Sequence, residues 1–262
     1  MYALVDGELR TLELPAPDAF ILPGVRWGAF DELLTPAFWK GQAWQHGAIG
    51  TYQNMRLGSS LAEELAACLL GGYGMPAELG LAAFTRLRDR RLLWCGGDAR
   101  SLEAALIEPF FLYGRVRRYR FPRQKAEYLA GSLSALLSFH EPESDVALRD
   151  SLAKLPGLGP KTASWVVRNY RASDSVAIID VHILRAGRHI GLFAHDWRPE
   201  RQYRRLEETF LEFARRLQVS ACLLDGLIWD YMRRIAGAAR RHSRRPLIDS
   251  RQSSFLAQFS PS

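Results

Sequence analysis

The sequence predicts a mainly α-helical fold with a small β-hairpin at its N-terminus. Three observations carry this. Apolar residues recur at helical spacing in successive segments between Ser60 and Arg241. YALV-DG-ELRTLEL, Tyr2 to Leu14, alternates around Asp6-Gly7, a dipeptide that closes two-residue hairpins. Leu155 to Pro160 is a glycine- and proline-rich break between two helical patterns, so that stretch reads as helix, hairpin, helix.

Taken in order, Pro15 and Pro17 end the N-terminal hairpin, and Trp27 to His46 reads as short helices with Thr35 as cap and Pro36 as first position. Ser60 and Glu63 form a capping-box pattern for a helix through Leu70, which Gly71 to Pro76 breaks. Helices are expected over Glu78–Leu87, Leu102–Leu112 and Gln124–Leu137. Asp145–Lys154 is a further helix, with Ser144 or Asp145 as N-cap. Lys161–Tyr170 and His182–Gly191 follow, then two amphipathic helices, Glu200–Leu217 and Ser220–Arg241. The stretch from His242 reads as a frayed tail. No fixed-period repeat is present.

The chemistry concentrates between Leu155 and Arg185, in LPGLGPKTASWVVRNY and VAIIDVHILR. Gly157 and Gly159 permit positive φ and leave backbone N–H groups uncovered ahead of a helix, which makes an anion site suited to a phosphate. Lys161 falls in the first turn of that helix, where the positive end of the dipole favours a neutral amine. A neutral amine can attack an electrophilic carbon and form a Schiff base. Asp180 ends the apolar run Val176 to Ile179 and is placed to cap the next helix, where a carboxylate can stabilise positive charge or assist a proton transfer. An ordinary turn, a surface lysine and a simple cap are the plain alternatives for these residues taken singly.

These residues resemble the helix-hairpin-helix DNA glycosylases, and within them the 8-oxoguanine glycosylase/lyase branch. LPGLGPKTA, ASWVVRN and AIIDVHILR carry the resemblance, with weaker similarity in RFPRQKAEYL and LLDGLIWDYM. It implies two helical lobes flanking a cleft, with Lys161 as Schiff-base nucleophile and Asp180 as the assisting aspartate. It implies a bifunctional enzyme that flips a damaged purine, most simply 8-oxoguanine, out of duplex DNA, excises it and nicks the strand by β-elimination. Residues 1–55 lie before this resemblance, 56–241 make the glycosylase core, and 242–262 the tail. The open alternatives are the same chemistry on another modified base, a monofunctional glycosylase in which Asp180 activates water, and a hairpin module that only binds DNA.

Other candidates follow from position. Trp165 lies four residues past Lys161 on the same helix face, and Asp225 and Trp229 form another i, i+4 pair, so these three could line a base pocket or simply pack in the core. His182, Arg123 and Lys125 are candidates for phosphate contact. Arg115, Arg117, Arg118 and Arg120 interleave with Tyr119 and Phe121, a pattern that suits a nucleic-acid groove or a solvated charged face.

The formal charge of +7 fits a polyanionic partner, and the hydrophobic content of 48% fits a globular core. Lys40, Lys125, Lys154 and Lys161 are the only lysines, so few amines compete for a nucleophilic role. Cys68, Cys95 and Cys222 are too few and too scattered for a disulfide framework, a zinc site or a four-cysteine iron–sulfur cluster, and no metal or organic cofactor is expected. No apolar run reaches transmembrane length and no signal-peptide pattern opens the chain. A monomer in the cytoplasm, bound to duplex DNA that contains a damaged base, is the expectation.

Overall fold

The computed structural model describes residues 1–5, 7–48, 55–72, 74–93 and 97–242. Among them are ten α-helices and three two-stranded antiparallel hairpins, so the fold is mainly helical as expected. The chain forms two compact units, one of Met1–Gln53 with Ile179–Ser262 and one of Asn54–Ile178. The expected core of 56–241 therefore runs through both units. The tail expected from 242 onward lies outside the described residues apart from His242.

In the first unit β1 (Tyr2–Val5) pairs with β2 (Glu8–Thr11) in the two-residue register the sequence called for, Val5 opposite Glu8, with Gly7 at φ +81°. A second hairpin, β3 (Phe20–Leu22) with β4 (Val25–Arg26), was not expected. Its signal was the Pro23-Gly24 turn, with Gly24 at φ +79°. Residues 27–35 are not helical, against expectation, because Gly28 (φ +67°) and Leu34 (φ +70°) break the winding. The Thr35 hydroxyl donates to the Ala29 carbonyl at 2.7 Å and accepts the Phe38 N–H at 3.1 Å, so it caps α1 (Pro36–Ala48). The helices α8 (Val181–His189), α9 (Pro199–Leu217) and α10 (Ala221–His242) complete the unit. Helix α10 packs on α1, α8 and α9 around Trp39, Phe210 and Phe213. Lys40 donates to the carbonyl of Gln218 at 3.1 Å, at the left-handed residue that ends α9.

The second unit holds α2 (Leu61–Leu70), α3 (Ala77–Asp89), α4 (Ala99–Ile107), β5 (Phe110–Leu112), β6 (Arg115–Arg117), α5 (Pro122–Leu136), α6 (Asp145–Leu152) and α7 (Pro160–Arg171). Helix α2 is its centre, with residues Glu64 to Leu70 all buried against α3, α5 and α7. The Ser60 hydroxyl caps α2 through the Glu63 N–H at 3.3 Å. The Glu63 carboxylate does not return to Ser60 as a full capping box would. It accepts from Ser59 instead, at 2.7 Å. The helix expected over Leu102–Leu112 stops at Ile107, because Pro109 pushes the residue before it out of helical geometry, and Phe110–Leu112 becomes a strand. Ser144, rather than Asp145, caps α6, accepting the Ala147 N–H at 3.1 Å.

Candidate active site

The glycine hairpin that joins α6 to α7 is held from behind by α5. The Ser132 hydroxyl donates to the Pro156 carbonyl at 2.8 Å. Gly131 and Gly157 let the chains approach closely. A Cβ on Gly131 would meet Pro156 at 3.1 Å, and one on Gly157 would meet the Tyr128 ring at 2.5 Å. Tyr128, Gly131 and Ser132 share one face of α5, an i, i+3, i+4 spacing the sequence displays without saying what it faces.

The two hairpin glycines serve different ends. Gly157 takes φ +75°, which an L side chain rarely adopts. Gly159 is extended (φ −101°, ψ 178°) and caps α7 with no side-chain hydrogen bond. A Cβ there would meet nothing within 4 Å. Among the described residues, the backbone N–H groups of Gly157, Gly159, Lys161 and Thr162 donate to no acceptor. Pro160 has no N–H to offer and sits at the first helical position. The result is an open set of donors at the positive end of a helix.

Helix α7 is fixed by a buried polar knot. The Glu64 carboxylate, fully buried on α2, accepts from Asn169 Nδ2 of α7 at 2.7 Å and from the Leu57 and Gly58 N–H groups at 2.8 Å each. Two turns separate Asn169 from Lys161, so the knot sets where Lys161 stands. Burial pushes the neighbouring Cys68 thiol well above the usual cysteine range, and Cys222 is half-buried. Cys95 lies outside the described residues.

Lys161 is half-buried, and among the described residues its ammonium has no hydrogen bond or ion pair. The other lysines differ. Lys125 donates to the Leu69 carbonyl at 2.6 Å, at the end of α2, a helix with no basic residue in its own last turn. Burial, and after it the charge of Lys161 close by, pushes Lys125 below the usual lysine range. Lys40 is bound to Gln218 and Lys154 is exposed. Lys125, expected to contact phosphate, is thus engaged in the scaffold beside Lys161. Arg123 is exposed and ion-paired with Glu127 at 3.0 Å.

Trp165 is half-buried on α7, its ring edge 3.0 Å from where a Cβ on Gly71 would lie. It closes the gap between α7 and the end of α2 and packs on the core. Lys161, Trp165, Gly157, Gly159, Arg123 and Lys125 all belong to the second unit. Asp180, His182, Asp225 and Trp229 belong to the first.

In the first unit Asp180 is the N-cap of α8. One carboxylate oxygen accepts the N–H groups of His182 at 2.8 Å and Ile183 at 2.9 Å. The capping predicted from sequence is therefore present, and it holds the ionised carboxylate in one orientation. The same side chain remains partly exposed. Helix α10, which packs on α8, carries Asp225 buried and Trp229 half-buried beneath the Arg233 guanidinium, 4.7 Å from the ring centroid.

The family model described as 8-oxoguanine DNA glycosylase, of the Ogg helix-hairpin-helix type, matches residues 48–219. The chain belongs to this family. It is an enzyme of the DNA glycosylase class, and the match spans α2 to α9, with the hairpin, Lys161 and Asp180 inside it. The fold agrees with solved glycosylases. The Methanocaldococcus jannaschii 8-oxoguanine glycosylase/lyase, in complex with a 15mer DNA containing 8-oxoguanine, is 24% identical with a TM-score of 0.52, over 72% of this chain and 87% of that one. The Thermotoga maritima 8-oxoguanine DNA glycosylase is 24% identical with a TM-score of 0.50, over 64% and 77%. An endonuclease III in a trapped covalent intermediate with DNA is 19% identical with a TM-score of 0.53, over 71% and 82%. A comparison with curated proteins finds no match. Among the described residues no helix is long and apolar enough to cross a membrane, and no group of His, Cys, Asp or Glu is placed to hold a metal ion.

Proposed function

We propose that this glycosylase excises 8-oxoguanine from duplex DNA with Lys161 as its nucleophile and then nicks the strand. The observation that supports this most is the standing of Lys161. It is half-buried in the first turn of α7, behind open N–H donors, and has no ion-pair partner among the described residues, while Lys125 and Lys40 are bound to carbonyls.

The hairpin N–H groups of Gly157 and Gly159 hold a backbone phosphate, with the exposed Arg123 as a further positive group near the strand. The damaged nucleotide flips out. Lys161 Nζ gives up a proton to solvent and donates the freed lone pair to C1′ of the sugar. The C1′–N9 bond breaks, and the base leaves with that electron pair and takes up a proton. The Asp180 carboxylate, oriented by its two cap hydrogen bonds, stabilises the positive charge that builds on the sugar. The amine then loses a proton, the sugar ring opens, and a protonated Schiff base forms between Nζ and C1′. Loss of the C2′ proton expels the 3′ phosphate, which nicks the strand, and water releases the enzyme. One amine and one carboxylate carry these steps, with no electrons required from a cofactor. Trp165, on the same helix as Lys161, offers a stacking face for the flipped base. The enzyme works as a cytoplasmic monomer on duplex DNA.

The bulk of Trp165 against Gly71 favours a second reading, the same lysine chemistry on a modified base of different shape. Base release and strand nicking on duplexes carrying 8-oxoguanine, uracil or no lesion separate the two. Release from the 8-oxoguanine duplex, lost in Lys161→Gln, supports the proposal. Release that survives Lys161→Gln refutes the lysine mechanism, and release only from another lesion selects the second reading.

A further inference from the structure

We infer that the β5–β6 hairpin is a second DNA-contact arm, which places an aromatic tip in the groove beside the lesion and three arginines on the flanking phosphates. The inference rests on the glycosylase reading above. Strand register sets Phe111 opposite Val116, so both project from one face of the hairpin. Phe111, Tyr113 at the turn and Val116 are 75%, 87% and 64% exposed. A two-stranded ribbon with an outward apolar face, in a segment this small, is unfavourable in water unless something covers it.

The charge around that face selects the occupant. Arg115, Arg117 and Arg118 are all exposed, and among the described residues none of their guanidinium groups has a hydrogen bond or an ion pair. No Asp or Glu occurs from Pro109 to Ala126. The base of the arm, by contrast, is fixed. Arg86 of α3 donates to the carbonyls of Ala105, Glu108 and Pro109 and lies 3.5 Å over the Phe110 ring. Arg90 holds both oxygens of Glu108 at 2.6 and 2.7 Å. A pinned base with an unsatisfied cationic and aromatic tip suits a polyanion with an apolar groove, where arginines bind phosphate and apolar wedges enter between base steps.

The position in the fold agrees. β6 leads directly into α5, whose Tyr128, Gly131 and Ser132 support the phosphate hairpin. From Pro122 to Gly131 α5 advances about 14 Å at 1.5 Å per residue. That is about four base steps at 3.4 Å each. One duplex can therefore meet both features of this unit.

The test is a salt titration of binding to a duplex with an abasic-site analogue, using full-length Lys161→Gln protein so that no turnover intervenes. The parent is compared with the arginine triple variant R115A/R117A/R118A and with F111S/Y113S. All of these positions are exposed, and circular dichroism confirms the fold. The triple variant is expected to bind on the order of tenfold to a hundredfold more weakly near physiological salt, with the slope of log affinity against log salt reduced by about 2–3. F111S/Y113S is expected to weaken binding with the slope unchanged. Unchanged affinity and slope in both variants, with the parent binding, overturns the arm and leaves the glycosylase reading standing. A parent dimer abolished by F111S/Y113S, with DNA affinity intact, overturns it in favour of a second copy of the chain. A parent that binds no duplex brings down both readings.

Discussion

The ring of Tyr128 lies across Gly157 so closely that a Cβ on the glycine would come within 2.5 Å of its Cγ and Cδ2. Gly157 also sits at φ +75°. Gly159, two residues on, has ordinary backbone angles and open space where a Cβ would go. Gly157→Ala is thus expected to lower stability by about 1–3 kcal/mol, through strain and overpacking together. Gly159→Ala is expected to leave the melting temperature nearly unchanged and to weaken DNA binding, because the methyl group stands among the N–H donors. Thermal melts and binding isotherms on both variants check this. Equal loss of stability in both contradicts the division of roles.

Asp180 combines a cap with a charge. Asp180→Asn keeps an acceptor for the His182 and Ile183 N–H groups and removes the charge, so a small stability change and a large loss of base release are expected. Asp180→Ala loses the cap as well, at a cost of about 1 kcal/mol. Single-turnover rates beside denaturation curves separate the two effects. Full activity in Asp180→Asn rules the charge out of the mechanism.

The knot at Glu64 makes a purely structural prediction. Glu64→Ala strands Asn169 Nδ2 and the Leu57 and Gly58 N–H groups in the interior, and is expected to destabilise by about 3 kcal/mol or more. Chemical denaturation of the second unit measures it. A loss below 1 kcal/mol would show that water replaces the carboxylate.

Tyr119 gives a pH dependence. It is buried, its hydroxyl donates to the Leu70 carbonyl at 2.7 Å, and burial raises its phenol well above the usual tyrosine range. The unfolded phenol ionises near pH 10. Above that pH the folded state holds the proton that the unfolded state has released, so stability falls as pH rises. Tyr119→Phe is expected to lose about 1 kcal/mol at neutral pH. It is also expected to show a shallower decline above about pH 10. Urea denaturation between neutral and alkaline pH checks both, and parallel curves for the two proteins exclude Tyr119 as the source.

What was legible in the sequence was mostly local. Thr35, Ser60, Ser144 and Asp180 all cap the helices their neighbours announce, because a cap acts within three residues. The break at Leu155–Pro160 is legible for the same reason. Two further elements rest on local signals that apolar periodicity does not display, the Pro23-Gly24 turn of the second hairpin and Pro109 at the end of α4. The remainder depends on distant partners. Nothing near Lys125 in sequence indicates that it binds Leu69, and nothing near Glu64 names Asn169. Lys161 and Asp180 were legible as a pair of chemical groups. That they belong to different compact units is set by contacts across the whole chain.

The central claim, that Lys161 is the nucleophile, is tested most directly by borohydride reduction of the enzyme on an 8-oxoguanine duplex. A covalent protein–DNA complex that disappears in Lys161→Gln while duplex binding remains is the expected result. Trapping that persists in Lys161→Gln, or intact base release with no trapped complex in the unaltered enzyme, would contradict it.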